Sequence, residues 1–149
     1  MPVLQSAVLQ YLRPKAGGIF VDGTLGGGNH SKALLDKLTA RSSKLEARLI
    51  GIDQDLEAIF AAKKNLAKFE NQIEFVHDNY SNLEKILKSK NIDNVNGILL
   101  DLGVSSYQFD NPARGFSFQT DAPLDMRMNQ AEEQTAGDII NYYDEININ

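Results

Sequence analysis

Four short apolar runs, three of them followed or closed by an aspartate, alternate with helix-patterned stretches along the first hundred residues. The strand candidates are Ile19-Phe20-Val21-Asp22, Leu49-Ile50-Gly51-Ile52 before Asp53, Ile73-Glu74-Phe75-Val76, and Gly97-Ile98-Leu99-Leu100 before Asp101. Between them, Leu34, Leu35 and Leu38 share one helical face, and Leu56, Ile59 and Phe60 form a stripe behind the candidate cap Asp55. Ser81 and Glu84 have capping-box spacing ahead of Leu83, Ile86 and Leu87. Strands that are apolar at nearly every position are buried on both faces, which predicts an α/β fold with a parallel sheet covered by helices. Leu4, Val8, Leu9 and Leu12 add a leading helix that stops near Pro14. Four strands make an incomplete doubly wound sheet, so the chain reads as the front part of a longer enzyme.

Residues 103–130 break the pattern. They are rich in Ser, Asn, Asp, Pro and Phe and are expected to form a long irregular loop, a type of segment that usually carries function. Thr135 then opens a helix with Ile139, Ile140 and Tyr143 on one side. The expected division is a cofactor-binding domain over 1–130, containing the loop 103–130, with 131–149 starting a helical insertion.

Composition narrows the function classes. At 149 residues the chain has room for one domain with a real core. Without cysteine it has neither disulfides nor thiolate metal sites, and neither His30 nor His77 has a second ligand at metal spacing, so no metal is expected. The apolar runs fall far short of the ~20 residues that span a bilayer, and the start lacks a secretory pattern, so the expected location is the cytoplasm with no membrane partner. The charge is lopsided: residues 101–149 hold Arg114 and Arg127 against nine acids. A basic footprint over the whole surface is therefore excluded, and any nucleic-acid contact must be local.

The chemistry-bearing residues sit at strand ends. In Asp22-Gly23-Thr24-Leu25-Gly26-Gly27-Gly28-Asn29-His30, glycines between strand and helix let backbone approach a ligand and expose helix-start N–H groups. A plain tight turn is the competing reading. The loop lacks the Lys-Ser/Thr pair of a P-loop, and Ser31 stands where the dinucleotide fingerprint needs its third glycine. Asp22 is expected to face the positive end of a ligand such as S-adenosylmethionine. Asp53 lies near the ~20-residue offset at which an acid meets ribose hydroxyls, with a helix cap as its alternative. Asp101 could orient an acceptor or bind the cofactor, or merely open a loop. Tyr80 offers a ring for adenine or a staple for the next helix. In the loop, Tyr107, Phe109, Phe116 and Phe118 interleave with Ser105, Ser106, Gln108, Asn111, Arg114 and Arg127, a mixture suited to stacking and reading an extruded base, or to a small satellite core.

Taken in order, Asp22-Gly23-Thr24-Leu25-Gly26, Gly51-Ile52-Asp53-Gln54-Asp55, Leu99-Leu100-Asp101-Leu102-Gly103-Val104-Ser105-Ser106, Arg114-Gly115-Phe116-Ser117-Phe118 and Pro123-Leu124-Asp125-Met126-Arg127-Met128 closely resemble the bacterial ribosomal RNA small-subunit methyltransferase H family. The resemblance implies a Rossmann-like S-adenosylmethionine-dependent methyltransferase fold and methylation of N4 of a cytidine in 16S rRNA, within the small ribosomal subunit. It places the S-adenosyl-L-methionine pocket on Gly28, Asn29 and His30, on Asp53 at the ribose, Tyr80 at the adenine, and Asp101 and Gln108 at the methionine end. Asp101, Ser105 and Ser106 are the candidates for orienting the acceptor amine. Departures from the family's pattern are Asn29 and Ala122 for glycine, Tyr80 for phenylalanine and Tyr107 for proline. Asn29 is expected to keep the turn because asparagine tolerates positive φ. The alternatives are a truncated, inactive S-adenosylmethionine-binding module and, disfavoured by the glycine spacing, an NAD-dependent oxidoreductase. The oligomeric state is not set by the sequence, and a homodimer stays open.

Overall fold

The computed structural model describes residues 4–39 and 47–144. The chain divides into two compact units, Met1–Leu102 and Gly103–Asn149, taken here in turn.

The first unit runs α1 (Gln5–Leu12), β1 (Ile19–Asp22), α2 (Asn29–Thr39), β2 (Arg48–Asp53), α3 (Leu56–Asn65), β3 (Ile73–His77), α4 (Leu83–Ser89) and β4 (Gly97–Leu99). All strand pairs are parallel and the order across the sheet is β3-β2-β1-β4. This is the α/β fold that the alternation of the sequence implies. From β1 the chain moves outward to β2 and β3, then returns to the other side of β1 for β4. The topological switch point thus lies between β1 and β4, and open α/β sheets bind ligands outside the carboxyl ends of the strands at such a point.

Side chains alternate across the sheet with period two. Phe20, Leu49 and Ile73 stand side by side in register and join Leu34, Leu35 and Leu38 of α2 and Ala62 of α3 in one core, with Leu9 and Leu12 of α1 packed against it. Val21, Ile50 and Ile52 face the other way, onto Ile86 of α4 and Ile92. The central strands β1 and β2 thus carry apolar side chains on both faces because helices cover both.

Two local expectations fail in this unit. On α3 the buried face is Ala58, Ile59 and Ala62, while Leu56 and Phe60 are exposed. Small alanines let the helix lie close to the sheet, and that close approach decides which stripe faces inward, whatever the size of Leu56 and Phe60. Before α4 there is no Ser81/Glu84 capping box. Asn79 accepts a hydrogen bond from Ser81 N and starts a single 3-10 turn over Tyr80–Asn82 that runs into α4. Asp55 does cap α3, accepting from Glu57 N at 3.0 Å.

In the second unit the expected irregular loop contains α5 (Ser106–Asp110) and a 3-10 turn at Pro112–Arg114. The expected helix after Thr135 is α6 (Ala136–Tyr142), opened by a Thr135/Asp138 capping box. Arg114 is buried and donates to the carbonyls of Arg127 at 3.0 Å and Met128 at 3.1 Å. Arg127 forks onto Asp125, Nη2 to Oδ2 at 2.7 Å and Nε to Oδ1 at 3.0 Å, and donates to Glu132 O. Both arginines tie this unit together, the satellite-core role that the sequence left open beside base reading. The guanidinium of Arg127 holds the Asp125 carboxyl far below the usual carboxylate range.

The two readings of α3 separate in denaturant. Ile59→Ala removes a fully packed side chain and is expected to cost about 2–5 kcal/mol. Phe60→Ala, on the exposed side, should stay within about 0.5 kcal/mol. Equilibrium unfolding in urea measures both, and a larger loss for Phe60→Ala would reverse the assignment of the packed face.

Candidate functional site

The carboxyl edge of the sheet gathers the candidate residues of the first unit. After β1 the backbone turns through Gly26 and Gly28, whose φ values of 50° and 75° lie in the left-handed region. A Cβ at Gly28 would also come within 2.8 Å of Leu66 Cδ1, so the position admits glycine on two counts. The turn folds across the end of β2: Leu25 N donates to Ile52 O at 3.0 Å, and the Leu25 side chain covers Gly51, where a Cβ would lie 2.9 Å from Leu25 Cδ1. Asn29 has no positive φ, contrary to expectation. It is already the first residue of α2, so the left-handed backbone falls on the glycines before it, and the turn asks nothing unusual of asparagine.

Asp53, the candidate ribose acceptor, sits at the carboxyl end of β2 and is half-buried. Its Oδ2 accepts from Gly26 N at 2.7 Å and its Oδ1 from Asp55 N at 2.9 Å. Burial raises its pKa, against the opposing effect of these backbone donors. Asp53 therefore shapes the glycine turn while part of its surface stays exposed at the strand end.

Asp22 is turned inward. It is wholly buried; its Oδ2 accepts from Ser31 Oγ at 2.7 Å and its Oδ1 from Thr24 N at 3.2 Å. Desolvation drives its pKa up to about 6, partly opposed by the Ser31 hydroxyl and the Thr24 amide. The Asp22 carboxylate is thus not exposed beside Asp53 and Asp101 as expected, because Thr24 N and Ser31 Oγ take it up beneath the turn.

Asp101, two residues past β4, has an exposed carboxylate whose Oδ2 lies 3.4 Å from His30 Nε2. Its backbone N donates to Thr24 Oγ1 at 2.7 Å. The other ring nitrogen of His30, Nδ1, is buried without a hydrogen-bond partner. Tyr80 is partly exposed on the 3-10 turn after β3, close against Gly23, whose added Cβ would be 3.2 Å from Tyr80 Cβ. Gly28, Asn29, His30, Asp53, Tyr80 and Asp101 thus all stand at strand ends or the helix start on one edge.

Ser105, Ser106 and Gln108 belong to the second unit, at the start of α5. Ser105 Oγ accepts from Gln108 N at 3.3 Å while Gln108 Oε1 accepts from Ser105 N at 2.9 Å. This capping box was legible as Ser105 and Gln108 three residues apart. Sequence reasoning also missed Asn65, which donates from Nδ2 to Gly27 O at 2.9 Å and holds the glycine turn from α3. A single asparagine at a helix end gives no signal of that role.

The donor set of the first unit fits an adenosyl ligand. A partly exposed carboxylate at the end of β2 matches a hydroxyl pair, the partly exposed ring of Tyr80 offers a stacking face, and the exposed Asp101 carboxylate suits a cationic end. A four-stranded parallel sheet in the order β3-β2-β1-β4 with this edge is the front of the Rossmann-like fold of the S-adenosylmethionine-dependent methyltransferases, whose cofactor is S-adenosyl-L-methionine. Within that class the sequence profile of the MraW methylase family matches residues 1–149, and the chain belongs to that family. Ribosomal RNA small subunit methyltransferase H of Clostridium botulinum is 50% identical over 143 residues, covering 96% of this chain and 44% of the relative. Its namesake in Lachnospira eligens is 48% identical over 146 residues, covering 98% and 45%. The chain thus spans a little under half the length of these curated relatives. In structure, an rRNA-methylase from Clostridium thermocellum aligns at a TM-score of 0.54 and 23% identity over 70% of this chain and 54% of its own, a likeness of fold.

The buried acid gives a pH signature. Between about pH 4 and 6 the folded chain keeps a proton at Asp22 that the unfolded chain has released, so Asp22 withdraws stability as pH rises through that window. Relative to the unaltered chain, Asp22→Asn should therefore gain stability on going from pH 4 to pH 7, by up to about 3 kcal/mol. Urea unfolding at both pH values measures the difference; a gain that does not grow with pH would show that Asp22 is ionised throughout.

Proposed function

We propose that this chain binds S-adenosylmethionine on the carboxyl edge of its sheet and serves the methylation of N4 of a cytidine in 16S ribosomal RNA. Family membership and the names of the relatives support ribosomal RNA as substrate; the choice of cytidine N4 rests on the motif resemblance. The observation that carries the reading is the convergence of a glycine turn, Asp53, Tyr80 and Asp101 on one edge of the sheet.

Bound there, the cofactor supplies a methyl group on a sulfonium. Asp53 accepts the ribose hydroxyls, its orientation already fixed by Gly26 N and Asp55 N. Gly28, Asn29 and His30 would bring backbone close to the cofactor at the start of α2, and Tyr80 would offer its ring to the adenine. Asp101 holds the methionine end or accepts an N–H of the acceptor amine. The lone pair of that amine is delocalised into the cytosine ring, so a group that favours its pyramidal geometry aids transfer through alignment. The roles of Ser105, Ser106 and Gln108 rest on the resemblance alone. In this reading 1–130 is the front of the methyltransferase domain and 131–149 opens the insertion.

Calorimetry with S-adenosylhomocysteine should show binding that Asp53→Ala weakens by about tenfold or more, since bonds to a charged acceptor are lost. NADH should give no heat; a reversed preference would replace the methyltransferase reading with an oxidoreductase one. Radiolabelled methyl incorporation into small ribosomal subunits, abolished by Asp101→Asn, separates an active enzyme from a binding module. Binding without incorporation selects the module.

A further inference from the structure

Five residues from three segments close a ring at the switch point. Ser31 Oγ donates to Asp22 Oδ2 at 2.7 Å, and Asp22 Oδ1 accepts from Thr24 N at 3.2 Å. Thr24 Oγ1 accepts from Asp101 N at 2.7 Å, and the Asp101 carboxylate meets His30, the residue before Ser31, at 3.4 Å. The β1–β4 ladder ends with Asp22 opposite Leu99, and Gly23 N still reaches Leu99 O at 2.9 Å. One step further along, Asp101 N has left the reach of a backbone carbonyl and bonds to the Thr24 hydroxyl. A side-chain group therefore extends the ladder by one rung, at the point where β4 hands over to Asp101.

We propose that Thr24 is a positioning residue for the cofactor site: its hydroxyl anchors the backbone of Asp101 and so aims that carboxylate at His30 and the methionine end. This rests on the reading that Asp101 meets the cofactor. The ring explains why a wholly buried acid is present at the end of β1. Asp22 holds Thr24 from below through its amide while the Thr24 hydroxyl holds Asp101 above. Ser31 ties the same acid to α2, the helix that also presents His30.

The anchor can be tested without the cofactor and with it. Amide hydrogen exchange of the 149-residue chain should show Asp101 N–H exchanging faster in Thr24→Val, which keeps the shape and lacks the hydroxyl, and recovering in Thr24→Ser. Thr24→Ala serves if the valine variant does not fold. Affinity for S-adenosylhomocysteine should fall several-fold, up to about tenfold, in Thr24→Val, the change that one neutral hydrogen bond commands. It should return in Thr24→Ser and show no further loss when Thr24→Val is added to Asp101→Asn. Unchanged exchange at Asp101, or equal losses in the Asp101 and Asp101→Asn backgrounds, would overturn the proposal. If the unaltered chain binds no S-adenosylhomocysteine, the functional reading fails and takes the cofactor half of this proposal with it, while the exchange result still decides whether Thr24 anchors Asp101.

Discussion

The turn from β1 into α2 is the constraint on which the site depends, and side chains from three elements hold it. Asp22 takes the Thr24 amide from the strand below, Asp53 takes the Gly26 amide from the neighbouring strand, and Asn65 donates to the Gly27 carbonyl from α3. Glycines make such a turn possible but leave it loose, since they lose more conformational freedom on folding than any other residue. The three clamps remove that freedom before any ligand arrives. A preorganised turn lowers the ordering cost of binding, so the contacts made afterwards go further toward affinity.

Placing two of these clamps as carboxylates has an electrostatic consequence. Burial raises the pKa of both Asp22 and Asp53, and each is stabilised by donors that the turn itself supplies. The two acids do different work because of their depth. Asp22, with no exposed surface, acts only through the turn it holds, whereas Asp53 shapes the turn and keeps part of its own surface exposed. A pair of aspartates that look alike in sequence is thus divided by one layer of burial.

That division marks the limit of what the sequence discloses. The strands, their parallel pairing and the edge that carries the acids were readable because a run apolar at nearly every position has few places to go. Positions 34, 35 and 38 of α2 were readable for the same reason. The packed face of α3 was not, because Ala58 and Ala62 carry little hydrophobic weight and yet set the distance of closest approach. The inward turn of Asp22 went unread: alternation sets it on the face of Phe20, toward α2, where Ser31 Oγ and Thr24 N take up its carboxylate. Asn29 misled because a substitution for glycine suggested a strained backbone, when the helix had already begun. The Ser105/Gln108 box was legible but masked by the polar, proline-containing stretch around it.

The second unit constrains how an RNA partner would be met under the proposed function. Residues 103–149 carry two basic side chains against eight acids, and the two bases, Arg114 and Arg127, are tied into the unit by backbone carbonyls and Asp125. Neutralising phosphates needs basic groups that can release condensed counterions, and this unit has none to offer beyond those two. What it does present is aromatic surface: Phe118 is wholly exposed, and Tyr107 and Phe109 are exposed on α5. Ring faces recognise unpaired bases by stacking, with polar groups reading their edges. Recognition by this unit would therefore fall on a base already freed from its helix, and attraction to the RNA backbone would have to come from elsewhere.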